Sequence, residues 1–399
     1  MHKQRVLSGM RPTGELHLGH YHGVLKNWLK LQHEYDCTFL VVDWHALTTH
    51  YQDTQGLEDN VMDYVVTWLA VGINPSLANI GIQSQIHEHA VLHLLLSMVT
   101  PLSWLERVPT YKEQQQKLKD RDLGTYGFLG YPLLQAADIL MYKAQLVPVG
   151  EDQVPHIEFA REVARRFNHI YGRDTGFVEK AHAAMDKLGK KQAKAYENYC
   201  REYQEHGVHE ALENGQALIE AAQNLSMSDR ERLLGYLEGS GKIILPEPEA
   251  LLTPAAKMPG LDGQKMSNSY HNIIRLRDEP DEVNQKIKTM PTDPARVRRS
   301  DPGTPEKCPV WEFHKIYSDQ ATQEWAHNGC TSAGIGCLDC KKPIIESVNQ
   351  ELLPIQDKIK EYEETPSVVR NIIQEGTESA REIAQDTLEE VQEAIGLSD

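Results

Sequence analysis

The chain has 399 residues, 40% hydrophobic and 25% charged, with a formal net charge of −17, which is enough for two or three domains with substantial cores. The acidic balance opposes diffuse binding to nucleic acid but leaves room for a local basic surface around Lys286/Lys288 or Arg296/Arg298/Arg299. No apolar run is long enough to span a bilayer and the first residues lack the apolar region of a signal peptide, so the expected setting is the cytoplasm with no membrane partner.

In chain order, short β-branched-rich runs at Val6-Leu7, 38–42, 79–83, 145–149 and 242–245 alternate with longer helical patterns, which predicts βαβ units around a parallel sheet. In RVLSGMRPTGELHLGHYHG (5–23) a strand ends at Ser8-Gly9, a Pro/Gly loop follows, and a helix begins near Glu15. The free amides of a helix N-terminus attract anions. His17 and His20 are three apart on one face of that turn, each able to donate to a phosphate oxygen, and Gly19 and Gly23 leave room for a nucleotide. A metal is disfavoured, since only Glu15 stands nearby and no cysteine does. Taken alone, the stretch reads better as a solvated helix end.

Further on, GYPLLQAADILMY (130–142) places Tyr131, Gln135 and Asp138 at i, i+4 and i+7 of a helix that is otherwise apolar nearly all round. A polar stripe on a buried helix is satisfied either by neighbouring segments or by a ligand. A buried carboxylate suits an indole N–H, and a phenol equally. Residues 178–242 form a charged, proline-free helical pattern, with Ser228 and Glu231 in capping-box spacing, and read as a helical insertion. PGLDGQKMSNSY (259–270) is a glycine-flanked loop that could carry Lys265 to a polyphosphate. From 278 to the end the pattern is all-helical, interrupted by Cys308, Cys330, Cys337 and Cys340 in the spacing C-x21-C-x6-C-x2-C. Four clustered cysteines in a cytosolic chain point to a metal, and thiolates suit zinc or an iron–sulfur cluster alike. Cys37 and Cys200 read as ordinary thiols.

HLGH after a first strand, with KMSNS some 250 residues later, resembles the paired motifs of class I aminoacyl-tRNA synthetases. Together with VVDWHALTT (41–49), YPLLQAADILMY and VPVGEDQVPHIEFAREVARRFN (147–168), the chain resembles bacterial tryptophanyl-tRNA synthetases from end to end, apart from the insertion and the cysteine loops. The resemblance implies a Rossmann-like, doubly wound α/β catalytic domain over 1–177, with dimer-interface helices at about 87–128. It continues through a helical insertion at 178–242, the rest of the catalytic domain at 243–277, and an all-helical anticodon-binding domain at 278–399. A homodimer is implied, acting on ATP, L-tryptophan and tRNA(Trp).

By the same resemblance His17, His20 and Lys265 are catalytic, contacting the ATP phosphates. Gly9, Arg11, Thr13, Gly19, Gly23, Gly150, Asp152, Met266, Ser267, Asn268 and Ser269 join Lys265 in binding ATP, with Asp152 on the ribose. Asp138 accepts the indole N–H, Tyr131 and Gln153 hold the α-ammonium, and Gln135, Leu7, His45, Val147 and Val149 complete the tryptophan pocket. Mg²⁺ accompanies ATP. Some relatives carry a [4Fe–4S] cluster on almost this cysteine pattern, with one more residue in the long interval, so Cys308, Cys330, Cys337 and Cys340 are expected to hold such a cluster, with structural zinc as the alternative. Two positions depart from the family: Asn268 replaces the second lysine of KMSKS, and Gln114 stands where some relatives have a lysine, leaving Lys112. A tyrosyl-tRNA synthetase, a small nucleotidylyltransferase and a non-catalytic RNA-binding regulator share parts of this pattern.

Overall fold

The computed structural model describes residues 3–108, 124–172, 176–239, 241–252 and 258–397. The chain runs β1 (Arg5–Met10), α1 (Leu18–His20), a π turn (Tyr21–Leu25), α2 (Lys26–Glu34), β2 (Asp36–Val41), α3 (Asp43–His50), α4 (Leu57–Val71) and β3 (Ala78–Ile82). It continues through α5 (Glu88–Ser97), α6 (Leu102–Leu105), α7 (Tyr126–Leu129), α8 (Tyr131–Met141), β4 (Leu146–Val149), α9 (Val154–Tyr171), α10 (Phe177–Asp186), α11 (Lys190–His206), α12 (His209–Ala221), α13 (Met227–Leu237) and β5 (Glu249–Leu252). Five helices close it: α14 (Pro280–Thr289), α15 (Pro309–Tyr317), α16 (Gln320–Thr331), α17 (Cys337–Glu364) and α18 (Pro366–Ile395). The strand order is β3-β2-β1-β4-β5, which reverses at β1 as doubly wound sheets do. The expected α/β class with a helical C-terminal region is what the chain adopts. None of its described helices is long and apolar enough to cross a membrane.

The fold resolves into two compact units: Met1–Lys3, Ser8–Gln85 and Leu252–Ser379 in one, and Gln4–Leu7, Ile86–Leu251 and Ala380–Asp399 in the other. In the first, β2 pairs parallel with β3 from Cys37↔Ala78 to Val41↔Ile82. Trp28 of α2 stacks on Phe39 at 4.2 Å, and Trp68 of α4 meets Trp28 edge-on at 4.9 Å. Such pairs add about 0.5–1.5 kcal/mol beyond burial. β3 is an edge strand, and α18 lies against it where Gly376 permits: a Cβ there would stand 2.3 Å from the Ile80 carbonyl. Covering the edge removes a template for aggregation.

In the second unit β1 pairs parallel with β4 at Val6↔Leu146. The four helices α10–α13 enclose a core of their own, including Met185, Tyr196, Cys200, Ile219, Leu233 and Leu237. The capping box lies at Ser226 and Asp229, not Ser228 and Glu231: Ser226 Oγ accepts from the Asp229 amide at 3.2 Å and Asp229 Oδ2 accepts from the Ser226 amide at 3.0 Å. Glu231 instead receives Lys143 at 3.2 Å. The run at 242–245 is not a strand either. Ile244 and Leu245 are buried, but Asn168 Oδ1 takes both their amides, at 2.9 and 3.0 Å, and Asn168 Nδ2 donates to the Leu245 carbonyl at 2.7 Å. A side chain thus replaces the strand partner, and β5 forms a few residues later.

Candidate active site

In the first unit β1 ends where Pro12 and Gly14 turn the chain into α1. His17 is the N-cap: its Nδ1 accepts from the Gly19 amide at 3.1 Å, while His20 Nδ1 accepts from the His17 amide at 3.4 Å. This is a capping box built from two imidazoles, whose rings lie 3.9 Å apart. With both Nδ1 atoms engaged as acceptors, the protons reside on Nε2, leaving two N–H donors. Burial pushes His17 down to about 4; burial, then the nearby His17 and Lys265, push His20 down to about 3. Both rings are neutral near pH 7. Glycines here serve packing first: a Cβ on Gly19 would meet the His17 ring at 2.8 Å and one on Gly9 would meet Val42 at 2.8 Å, whereas Gly23 faces open space. Arg11 and Thr13 lie in the same loop, and His45 is buried in α3.

The KMSNS loop belongs to the same unit. Lys265 is exposed, and its charge adds to the forces that hold His20 neutral. Gly263 adopts φ +86, open to glycine without strain. Asn272 braces the turn: its Oδ1 accepts from the Ser267 amide at 2.9 Å, and its Nδ2 donates to the Lys265 carbonyl at 3.1 Å and to Asp262 at 2.7 Å. Met266 is buried; the side chain of Ser269 lies outside the described residues. Asn268 donates from Nδ2 to the carbonyls of Glu15, at 3.1 Å, and Thr13, at 3.4 Å. It joins the loop to the segment leading into α1, a role its lost charge does not reveal.

In the second unit α8 carries the polar stripe. Asp138 is 3% exposed and its Oδ1 lies 2.6 Å from His89 Nδ1, whose Nε2 lies 2.8 Å from the Tyr142 hydroxyl. Burial, then Asp138 and Glu88, raise Tyr142 well above its ordinary value, keeping its hydroxyl protonated. Gln135 Oε1 is buried with no hydrogen-bond partner among the described residues. Tyr131 packs edge-on to His156 at 5.8 Å. Leu7 and Val147 are buried on β1 and β4, and Val149 is half-buried. A Cβ on Gly150 would stand 2.9 Å from Asp152 Oδ1, and Gln153 donates to Asp152 Oδ2 at 3.2 Å. His89 and Asn272 are absent from any local motif. Lys112 and Gln114 lie outside the described residues.

All four cysteines lie in the first unit. Cys308 is the N-cap of α15, Cys330 lies in the last turn of α16, and Cys337 and Cys340 lie in the first turn of α17. Burial first, then Cys308, Cys330 and Cys337, push the Cys340 thiol up to about 12. Cys308 and Cys330 are likewise raised by burial and by neighbouring thiols. Among the described residues no group of three or more His, Cys, Asp or Glu side chains stands where it could hold a metal ion. Arg296 Nη1 lies 3.8 Å from Cys330 Sγ, His314 Nε2 lies 3.2 Å from Cys340 Sγ, and buried Lys341 donates to the carbonyls of Lys288 and Met290 at 2.7 and 2.6 Å. Cys37 and Cys200 are buried, and burial first lifts both, to about 12 and about 11, as inert core thiols.

Comparison with known proteins places these features in a family. The family described as tRNA synthetases class I (W and Y) matches residues 1–199 and 209–352. A tryptophan–tRNA ligase of Ralstonia nicotianae is 60% identical over 398 residues, covering 100% of both chains. One from Thermotoga maritima is 44% identical over 395 residues, covering 98% of this chain and 99% of that one. Among solved structures, the tryptophanyl-tRNA synthetase of Campylobacter jejuni complexed with ADP and tryptophan superposes with a TM-score of 0.74 at 27% identity, covering 98% of this chain and 100% of that chain.

Proposed function

This chain belongs to the tryptophan–tRNA ligase family of class I tRNA synthetases, and from that premise we propose how its own residues carry the reaction. It is an ATP-dependent ligase. The carboxylate of L-tryptophan attacks the α-phosphate of ATP, releasing pyrophosphate and forming tryptophanyl-adenylate; the tryptophanyl group then passes to the terminal ribose of tRNA(Trp). The substrate carboxylate is already a nucleophile, so catalysis is positioning and stabilisation of charge on the phosphates.

His17 and His20 donate Nε2–H to phosphate oxygens, and Lys265 brings its ammonium to the departing pyrophosphate, with Mg²⁺ accompanying ATP. Gly9, Arg11, Thr13, Gly19, Gly23, Met266, Ser267, Asn268 and Ser269 form the surrounding nucleotide contacts, and Gly150 and Asp152 receive the ribose. Asp138 accepts the indole N–H while His89 fixes its carboxylate; Tyr131 and Gln153 bind the α-ammonium; Gln135, Leu7, His45, Val147 and Val149 complete the pocket. The observation that carries this reading is the reciprocal imidazole cap at His17 and His20, which spends both ring acceptors on the backbone and leaves two neutral donors at a helix N-terminus. The test is Lys265→Ala: single-turnover adenylate formation should fall by roughly 100-fold or more, while the Kd for tryptophan stays within about two-fold. An equal loss in both removes Lys265 from transition-state stabilisation.

The spacing of Cys308, Cys330, Cys337 and Cys340 supports a [4Fe–4S] cluster held by these four thiols, or structural zinc in its place. Bound there, the group would cross-link α15, α16 and α17; the aminoacylation reaction moves no electrons. Anaerobic purification should yield about four irons and four sulfides per chain with a broad band near roughly 400 nm. About one zinc per colourless chain assigns zinc instead. The helices from 278 onward are assigned to the anticodon, and the protein acts in the cytoplasm as a homodimer. Supporting the dimer, Val91 and Leu94 on α5 and Met98 just after it are exposed apolar residues, as are Leu102 and Tyr126; residues 109–123 of the expected interface lie outside those described.

A further inference from the structure

The opening motif holds a third histidine that the phosphate reading leaves without a task. His22 lies in the π turn directly after His20, its side chain only 5% exposed. Its Nε2 stands 2.8 Å from the Tyr317 hydroxyl and 3.1 Å from Glu351 Oε2. Tyr317 donates to that same carboxylate oxygen at 2.9 Å, and Lys26, the first residue of α2, donates to Glu351 Oε1 at 2.6 Å. One carboxylate therefore grips both ends of the π turn. Burial opposes the charge on Glu351, but the bonds from His22 and Lys26 outweigh it and hold the carboxyl down to about 2.

A π turn winds an extra residue into the helix and persists where its surroundings hold it. Relaxing it to α-helix would turn the preceding residues by about 100° relative to α2, carrying His17 and His20 with them. The groups that hold the turn come from far along the chain, and their helices share an origin. Tyr317 ends α15, which Cys308 caps; Glu351 lies in α17, which opens with Cys337 and Cys340. His314, one turn before Tyr317, reaches Cys340 Sγ at 3.2 Å and so ties the two helices together at the cysteine end. Helix α15 thus carries Cys308 at its N-cap position, His314 against Cys340 and Tyr317 against the π turn.

We propose that Tyr317 and Glu351 are positioning residues for the phosphate-binding histidines, and that the cysteine-bearing helices α15 and α17, joined where His314 meets Cys340, set the geometry of His17 and His20. The proposal rests on the reading of those histidines as phosphate donors.

Tyr317→Phe keeps the ring and removes the hydroxyl. In the full-length protein the kcat of tryptophan-dependent pyrophosphate exchange should fall by about ten-fold or more, while the Kd for tryptophan stays within about two-fold. Amide hydrogen exchange over residues 18–25 should accelerate, a local signature that a general loss of stability would not confine there. Cys308→Ala should reproduce both effects, and the double variant should be no worse than the poorer single one, because both interrupt one path. Unchanged kcat and amide exchange in Tyr317→Phe overturn the proposal; effects that multiply in the double variant overturn its link to the cysteines. Glu351→Gln supplies the same measurements if Tyr317→Phe does not fold. His20→Ala separates the two readings: if it leaves kcat intact the phosphate assignment has failed, whereas if it lowers kcat and Tyr317→Phe does not, only the present inference has.

Discussion

Imidazole rings buried at the start of α1 have a cost in acid. His17 and His20 lie at about 4 and about 3, against an ordinary value of 6.5. Below 6.5 the unfolded chain takes up protons that the folded chain refuses, so stability falls as pH drops from there towards 4, by about 1.4 kcal/mol per pH unit for each ring. Glu351 adds a lower window: its depressed pKa stabilises the fold above about 4.5, and that contribution is lost as pH falls towards 2. The thermal midpoint of the wild type should decline between pH 6.5 and 4.5, and the decline should shrink in His20→Asn; identical slopes in the two proteins contradict this account of the cap. The pairing of His17 with His20 is legible in sequence because residues three apart share a helix face. That each ring accepts an amide from the other's turn is not, since it depends on the φ and ψ of the cap. Asn268 shows the same limit: the sequence registers a missing lysine, while its bonds to the carbonyls of Thr13 and Glu15 require the loop's fold. Asp138 has the internal partner that one sequence reading allows: His89 supplies it from 49 positions away, a separation no local periodicity spans.

Helices and strands were read from periodicity, and periodicity fails where a side chain does the work of a strand. The run Lys242 to Leu245 has strand composition, yet Asn168 occupies its backbone groups and holds it as a buried plug. Asn168→Ala would orphan two amides and a carbonyl in a dry environment, at about 1–3 kcal/mol for each group left unsatisfied. The variant should unfold at markedly lower denaturant with an unchanged m-value; a shift under about 0.5 kcal/mol, the usual range of surface substitutions, would mean that water takes over these bonds. The helical character of 178–242 was legible from its charge pattern and lack of proline. The position of its last cap was not, because Ser226 and Ser228 both precede an acidic residue three positions on, and only packing chooses: Asp229 also receives Lys187 at 2.8 Å, while Glu231 turns to Lys143.

Across the whole chain, a charge of −17 confines RNA contact to local basic surfaces. Of the basic residues singled out in sequence, Arg296 is buried beside Cys330 and Lys286 pairs with Asp278, leaving Lys288, Arg298 and Arg299 exposed around the cysteine region. The α/β class was visible at this scale because alternating strands and helices admit few architectures. The choice between indole and phenol was not settled by residue chemistry, since a carboxylate serves both. That choice is the central claim, and tryptophan-dependent ATP–pyrophosphate exchange tests it most directly, with tyrosine as the control amino acid. Exchange is expected with tryptophan, at least about 100-fold weaker exchange with tyrosine, and loss of that preference in Asp138→Asn. Exchange driven equally by tyrosine, or none with tryptophan, would contradict that claim.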